Sequence, residues 1–130
     1  MSKQTNKKAT FKDLLNKKIL KEKNSTKVKE IEISSMGKSI TFVRPKDDVI
    51  LDVIDLVGEG KSTRDMVNAF KTLIYHSCPM LQDTELHEQL EIQDPYDVVD
   101  TIFELADILE IGQELLEMVD INGKVDDIKN

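Results

Sequence analysis

Apolar and polar positions alternate along this chain with two different periods, and the change of period divides it. Over Val28–Ser34 and Ser39–Arg44 the period is two, with Ile31 and Ile33 on one face and Ile40 and Phe42 on one face. That is the pattern of half-buried strands. Ser35-Met36-Gly37-Lys38 between them supplies the glycine of a tight connection, so the pair is expected to form a β-hairpin. Two strands alone are marginal and must pack on helices or pair with another copy. After Pro45 the spacing becomes helical. Asp47 or Asp48 opens a helix carrying Val49, Ile50, Val53, Ile54 and Val57, stopped by Gly58 and Gly60. Ser62-Thr63-Arg64-Asp65 reads as a capping box, followed by a helix that turns Met66, Val67, Phe70, Leu73 and Ile74 inward until Pro79 closes it. Asp83 begins a short helix with Leu86 and Leu90.

From Asp94 to Val119 the helical pattern is strongest. Asp94 suits an N-cap and Pro95 a first helical position. Acidic residues recur at 94, 97, 100, 104, 107, 110, 114 and 117, opposite Val98, Val99, Ile102, Phe103, Ala106, Leu109, Leu115 and Val119. Seven steps over 23 residues fall about 220° short of seven full turns at 100° per residue. A single straight helix would let the stripe slip past half its circumference. A second apolar stripe, Ile108, Ile111, Leu115 and Val119, starts on a rotated face. The spacing therefore predicts two helices, broken near Glu104–Ala106.

At the other end, Met1–Ala9 is polar and lysine-rich, which predicts disorder. Thr10-Phe11-Lys12-Asp13 is a capping-box variant that opens a short helix through about Lys21, with Phe11, Leu14, Leu15 and Ile19 on one side. Such a helix needs tertiary support. The expected layout is a basic arm over residues 1–26, a single domain over 27–119 (hairpin 28–44, helical 47–119), and a frayed tail over 120–130. The fold class is α+β, mainly α: one N-terminal β-hairpin packed on a small bundle of four to six helices.

Charge sharpens this division. Residues 1–29 hold ten lysines against Asp13 and Glu22, a net +8, whereas residues 30–130 carry −15, for a total of −7. No Lys or Arg lies between Lys71 and Lys124, and the 52 residues between them hold 13 carboxylates. A solvated face is the plain explanation; a docking surface for a basic partner is the sharper one. The arm has only Phe11 to stack on bases and the body repels phosphate, so nucleic acid is an unfavoured partner. At 130 residues with 39% hydrophobic content, one modest aliphatic core is affordable. Apolar runs reach three residues, which excludes a membrane-spanning helix, and the lysine-rich start lacks the apolar stretch of a signal peptide. The single cysteine, Cys78, allows no internal disulfide and fits a reducing cytoplasm.

Chemistry finds little footing. His76, Cys78 and His87 match no usual zinc spacing and lack a fourth ligand. Asp120-Ile121-Asn122-Gly123 has its glycine too early for a calcium loop, and no twelfth-position Glu follows. No glycine-rich phosphate loop and no nucleophile beside a base is present. The expectation is a protein that is not an enzyme and takes no cofactor.

Residues 71–103, KTLIYHSCPMLQDTELHEQLEIQDPYDVVDTIF, do resemble a known family. Leu73-Ile74-Tyr75, Cys78-Pro79-Met80-Leu81, Asp83, Glu85-Leu86 and Asp94-Pro95-Tyr96-Asp97 are similar to the central motif of the XkdN-like tail assembly chaperones of long-tailed phages and defective prophages. Ser39-Ile40-Thr41-Phe42-Val43-Arg44-Pro45 resembles that family's second strand and its exit. The likeness spans roughly residues 11–119. It departs after Phe103, where the family commonly has a Pro-Gly turn and this chain has Glu104-Leu105-Ala106-Asp107.

The resemblance implies a non-enzymatic protein of the bacterial cytoplasm, absent from the mature virion. It would bind the long helical tape measure protein and keep it soluble until the tail tube grows around it. In many relatives a frameshifted extension recruits tail tube protein. No site residues carry over from the family. The residues themselves nominate Tyr75, Met80, Leu81, Ile92 and Tyr96 as client anchors, because two short helices do not need so many large apolar groups. Self-association is also expected, through the hairpin edges and through the basic arm meeting acidic helices of another copy. The alternative reading is a small nucleic-acid-binding phage regulator that uses the arm.

Overall fold

The computed structural model describes residues 7–59 and 62–119. The fold is mainly helical with one antiparallel hairpin near its start, an α+β arrangement as the pattern predicts. In order come α1 (Phe11–Ser25), β1 (Val28–Ile33), β2 (Lys38–Val43), α2 (Asp47–Glu59), α3 (Thr63–Ser77), a 3₁₀ turn (Pro79–Gln82), α4 (Thr84–Gln89), α5 (Asp97–Ile102) and α6 (Leu105–Val119).

The strands pair Ile31 with Ile40 and Ile33 with Lys38. Ile31, Ile33, Ile40 and Phe42 are all buried, so period two has placed them on one covered face. The connection lies one residue earlier than expected, at residues 34–37. The Ile33 carbonyl accepts from the Met36 and Gly37 amides, both at 2.9 Å, and Gly37 takes the left-handed φ of +67° that closes the turn. The covered face joins Val53 of α2, Phe70, Leu73 and Ile74 of α3, Val98 and Val99 of α5, and Ile108, Ile111 and Leu115 of α6 in one core. Helix α3 is central, touching α2, α5 and α6, while β1 lies against α6.

The helix break falls at Phe103–Glu104, slightly before the expected place. Phe103 turns extended (φ −103°, ψ 142°) and is buried. Asp107 sets the restart. Its Oδ2 accepts from the Glu104 amide at 3.1 Å, the returning half of a capping box. The same oxygen accepts from Ser35 Oγ at 2.9 Å and so ties the hairpin turn to α6. One member of the acidic stripe is thus buried and structural. Of the other described carboxylates in that stretch, Glu114 is half-buried and the rest are exposed, which agrees with a solvated face. Lys71 pairs with Asp100 at 2.9 Å and Lys29 with Glu114 at 3.5 Å.

Four more sequence expectations need correction. Asp94 does not cap a helix at Pro95. Its Oδ1 accepts from Tyr96 N at 3.1 Å in a turn of its own, and α5 starts only at Asp97. Met66, expected inside, is 37% exposed, and Ala69 fills the inner position instead. Helix α1 runs past Lys21 to Ser25, because the hydroxyls of Ser25 and Thr26 donate to the Glu22 and Lys23 carbonyls and close its last turn. Its Thr10–Asp13 capping box has both halves, yet none of its residues is buried. Helix α2 continues over Gly58; Gly60, residues 1–6, the expected frayed tail and the Asp120–Gly123 segment lie outside the described residues.

Candidate functional site

An apolar cleft of about 480 Å³ lies between the turn end of the hairpin and the 3₁₀ turn. Ile40, Leu81 and Phe103 form its buried floor, with Cys78 beneath. Its lips are Met36 (49% exposed), Met80 (61%) and Ile102 (37%), with Leu86 half-covered beside them. Each lip has a local cause. Met36 sits in the hairpin turn, where no pairing face exists to hide it. Pro79 starts the 3₁₀ turn, whose three-residue period sends Leu81 inward and its neighbour Met80 outward. Ile102 ends α5 just before Phe103 leaves the helix. Asp83, which accepts from the Glu85 amide at 2.8 Å to cap α4, and Glu85 put two carboxylates on the rim, and Lys38 of β2 lines it as well.

The five nominated anchors do not share this cleft. Met80 and Leu81 line it, one at the lip and one in the floor. Tyr75 and Tyr96 meet each other instead, ring centroids 4.8 Å apart. His76 packs edge-on to both and shares a 3.0 Å hydrogen bond between Nε2 and the Tyr96 hydroxyl. His87 stacks on Tyr75 and donates from Nε2 to the Leu81 carbonyl at 2.7 Å. Burial holds the Tyr75 hydroxyl above its usual range, with Tyr96 and Asp94 adding charge repulsion. Burial also holds His76 below its usual range, against the pull of Asp52.

Ile92 has another task. The chain leaves α4 with Glu91 at φ +56°, the Ile92 amide donating to the His87 carbonyl and the Glu91 amide to that of Glu88, both at 3.1 Å. This is a Schellman stop, normally built on glycine. Ile92 then folds half-buried onto the core. Glu91→Gly should stabilise the protein by about 1 kcal/mol, since it removes left-handed strain from a residue with a Cβ. A higher urea midpoint at unchanged m-value is the expected reading; a lower one would mean that the Glu91 side chain holds something in place.

Met36, Ile102 and Leu86 were not among the nominated anchors. For Met36 the signal was present, since a large apolar residue in a polar turn has no local reason to be there. Ile102 was hidden by its fit to the helical stripe.

The single cysteine is not set up as a nucleophile. Burial pushes the Cys78 thiol up, although amides of Leu81 and Met80 pull it the other way, so its nucleophilic form is disfavoured. Among the described residues, no three His, Cys, Asp or Glu side chains are placed to hold a metal ion. No helix among them is long and apolar enough to cross a membrane. Comparison with known protein families, curated proteins and solved structures finds no match.

Proposed function

We propose that this chain is a phage or prophage tail assembly chaperone, a non-enzymatic protein that binds the tape measure protein in the bacterial cytoplasm and keeps it soluble during assembly of a long tail. It leaves before the virion matures, and a frameshifted longer form would bring in tail tube protein. The observation that carries the reading is the methionine-lipped cleft beside a face of exposed carboxylates. An amphipathic client helix can lay its apolar side in such a groove. Methionine lips adapt to different client side chains, which suits a coat that must cover a long and varied helix. The exposed carboxylates beside the cleft favour basic residues next to the client's apolar stripe and speed encounter.

The alternative, a nucleic-acid-binding regulator, draws on Lys17, Lys18, Lys21 and Arg44, which line a second cleft beside α1. Arg44 there is already paired with Asp47 at 3.1 Å, and the same helix exposes a row of apolar residues that phosphate would not use.

Co-expression tests the reading. A tape measure protein that precipitates alone should become soluble with the intact chain. A Met80→Ser/Ile102→Ser variant should lose several-fold of that soluble fraction while keeping its own fold, since both residues are exposed. A client that stays insoluble beside the intact chain would overturn the function; full protection by the variant would move the binding surface away from the cleft.

A further inference from the structure

Helix α1 carries an apolar row that nothing among the described residues covers. Phe11, Leu14, Leu15 and Ile19 are between 50% and 79% exposed, and no residue of the helix is buried. A free-standing helix of 15 residues is marginal in water, so burial of this row would stabilise it. Around the row stand Lys12, Lys17, Lys18, Lys21 and Lys23. The cleft offers the complementary surface, an apolar floor whose rim holds Asp83 and Glu85 against the single cation Lys38, in a body without Lys or Arg from residue 72 to 123. The chain therefore carries a basic apolar helix and an acidic apolar groove.

The two lie at opposite ends of the same hairpin. Helix α1 joins β1 through only Thr26 and Lys27, and the Arg44 amide bonds the Lys27 carbonyl at 2.9 Å, fixing that junction at the open end. Leu14 and the lysines after it lie beside Arg44 and Asp47. The cleft is at the turn end, where Met36 and Ile40 are, and a six-residue strand separates them by about 20 Å. We propose that the Phe11–Leu15–Ile19 row of one copy docks in the Met36–Met80–Ile102 cleft of a second copy. The contact joins two different surfaces, so it builds a ring or an open array, or closes as a pair where two copies exchange their helices reciprocally. Where the chaperone reading holds, α1 also occupies the groove until a client helix displaces it; the self-docking itself does not rest on that reading.

Complementation between two broken surfaces tests this with the full chain. In low salt the wild type should sediment as oligomers that shrink with dilution and with added salt. Leu15→Glu/Ile19→Glu and, separately, Met80→Glu should each weaken association at least about tenfold, as loss of a central anchor does. An equimolar mixture of the two variants has one intact arm and one intact groove, and should form a dimer that grows no further. None of these residues is buried, so circular dichroism should show the body folded in every case. A strictly monomeric wild type, or arm variants that associate like the wild type, would overturn the proposal; the second result would assign association to the hairpin edges. Client solubility measured on the same variants keeps the two ideas apart, since an arm variant that is monomeric and still protects the client supports both. A groove variant that loses the client but associates normally sinks only the self-docking.

Discussion

Gly112→Ala should destabilise this protein by about 2 kcal/mol, even though alanine is the better helix former. Gly112 lies buried in the middle of α6, and a Cβ there would fall within the van der Waals envelope of the Phe70 ring, against Cγ, Cδ2 and Cδ1. Phe70 is itself 1% exposed in the centre of the core. The ring has nowhere to go, so α3 and α6 must separate. Overpacking of this kind costs about 1–3 kcal/mol and occasionally more, against which alanine returns at most about 1 kcal/mol of helix propensity. Urea unfolding gives the number. In the Phe70→Leu background the same change should cost much less, because the smaller side chain makes room and the two positions are coupled. A Gly112→Ala protein as stable as the wild type would show that the two helices do not approach this closely.

That contact illustrates what the amino-acid pattern can and cannot reveal. The period-two segments and the rotated acidic stripe act within a few residues of themselves, and both were readable: the hairpin and the break before α6 follow from them, while the strand register is set by a turn one residue earlier than the pattern suggests. Gly112 interrupts an otherwise good helical stripe, which hints at close packing but does not name the partner. Asp107 belongs by spacing to the solvated stripe; only the fold brings Ser35 to it, 72 positions away. Asp94 carried every local sign of a cap and was used in a separate turn, because a short Asp side chain can bond its own backbone two residues on without a helix.

The site was legible in part for the same reason. A surplus of apolar residues between Tyr75 and Tyr96 is a local fact, but its division among three tasks is not. Tyr75 and Tyr96 are drawn into an aromatic cluster with the two histidines, Ile92 completes a helix stop, and only Met80 and Leu81 reach the cleft. The opposite lip comes from the hairpin turn, some 40 residues earlier, which no helical spacing can anticipate.

Separate replacement of Met80 and Leu81 should therefore give opposite results, although the two are adjacent and both apolar. Leu81 is 4% exposed in the cleft floor and part of the core. Leu81→Ser would leave a cavity, at about 2–5 kcal/mol for a leucine cut back to the β-carbon, and would bury a hydroxyl with no partner, at about 1–3 kcal/mol more. Losses of that size consume most of the stability of a small domain, so this variant should be largely unfolded or unfold in the mildest urea. Met80, 61% exposed, loses little on replacement by Ser, within about 0.5 kcal/mol. Its effect should appear in client capture instead, as a several-fold fall in soluble tape measure protein. Serine at both positions would confuse the two effects, and only the single variants separate groove from core. If Leu81→Ser unfolds at the wild-type urea concentration, the floor of the cleft is not part of the core. If Met80→Ser is as unstable as Leu81→Ser, its side chain is packed inside and the cleft has lost its lip.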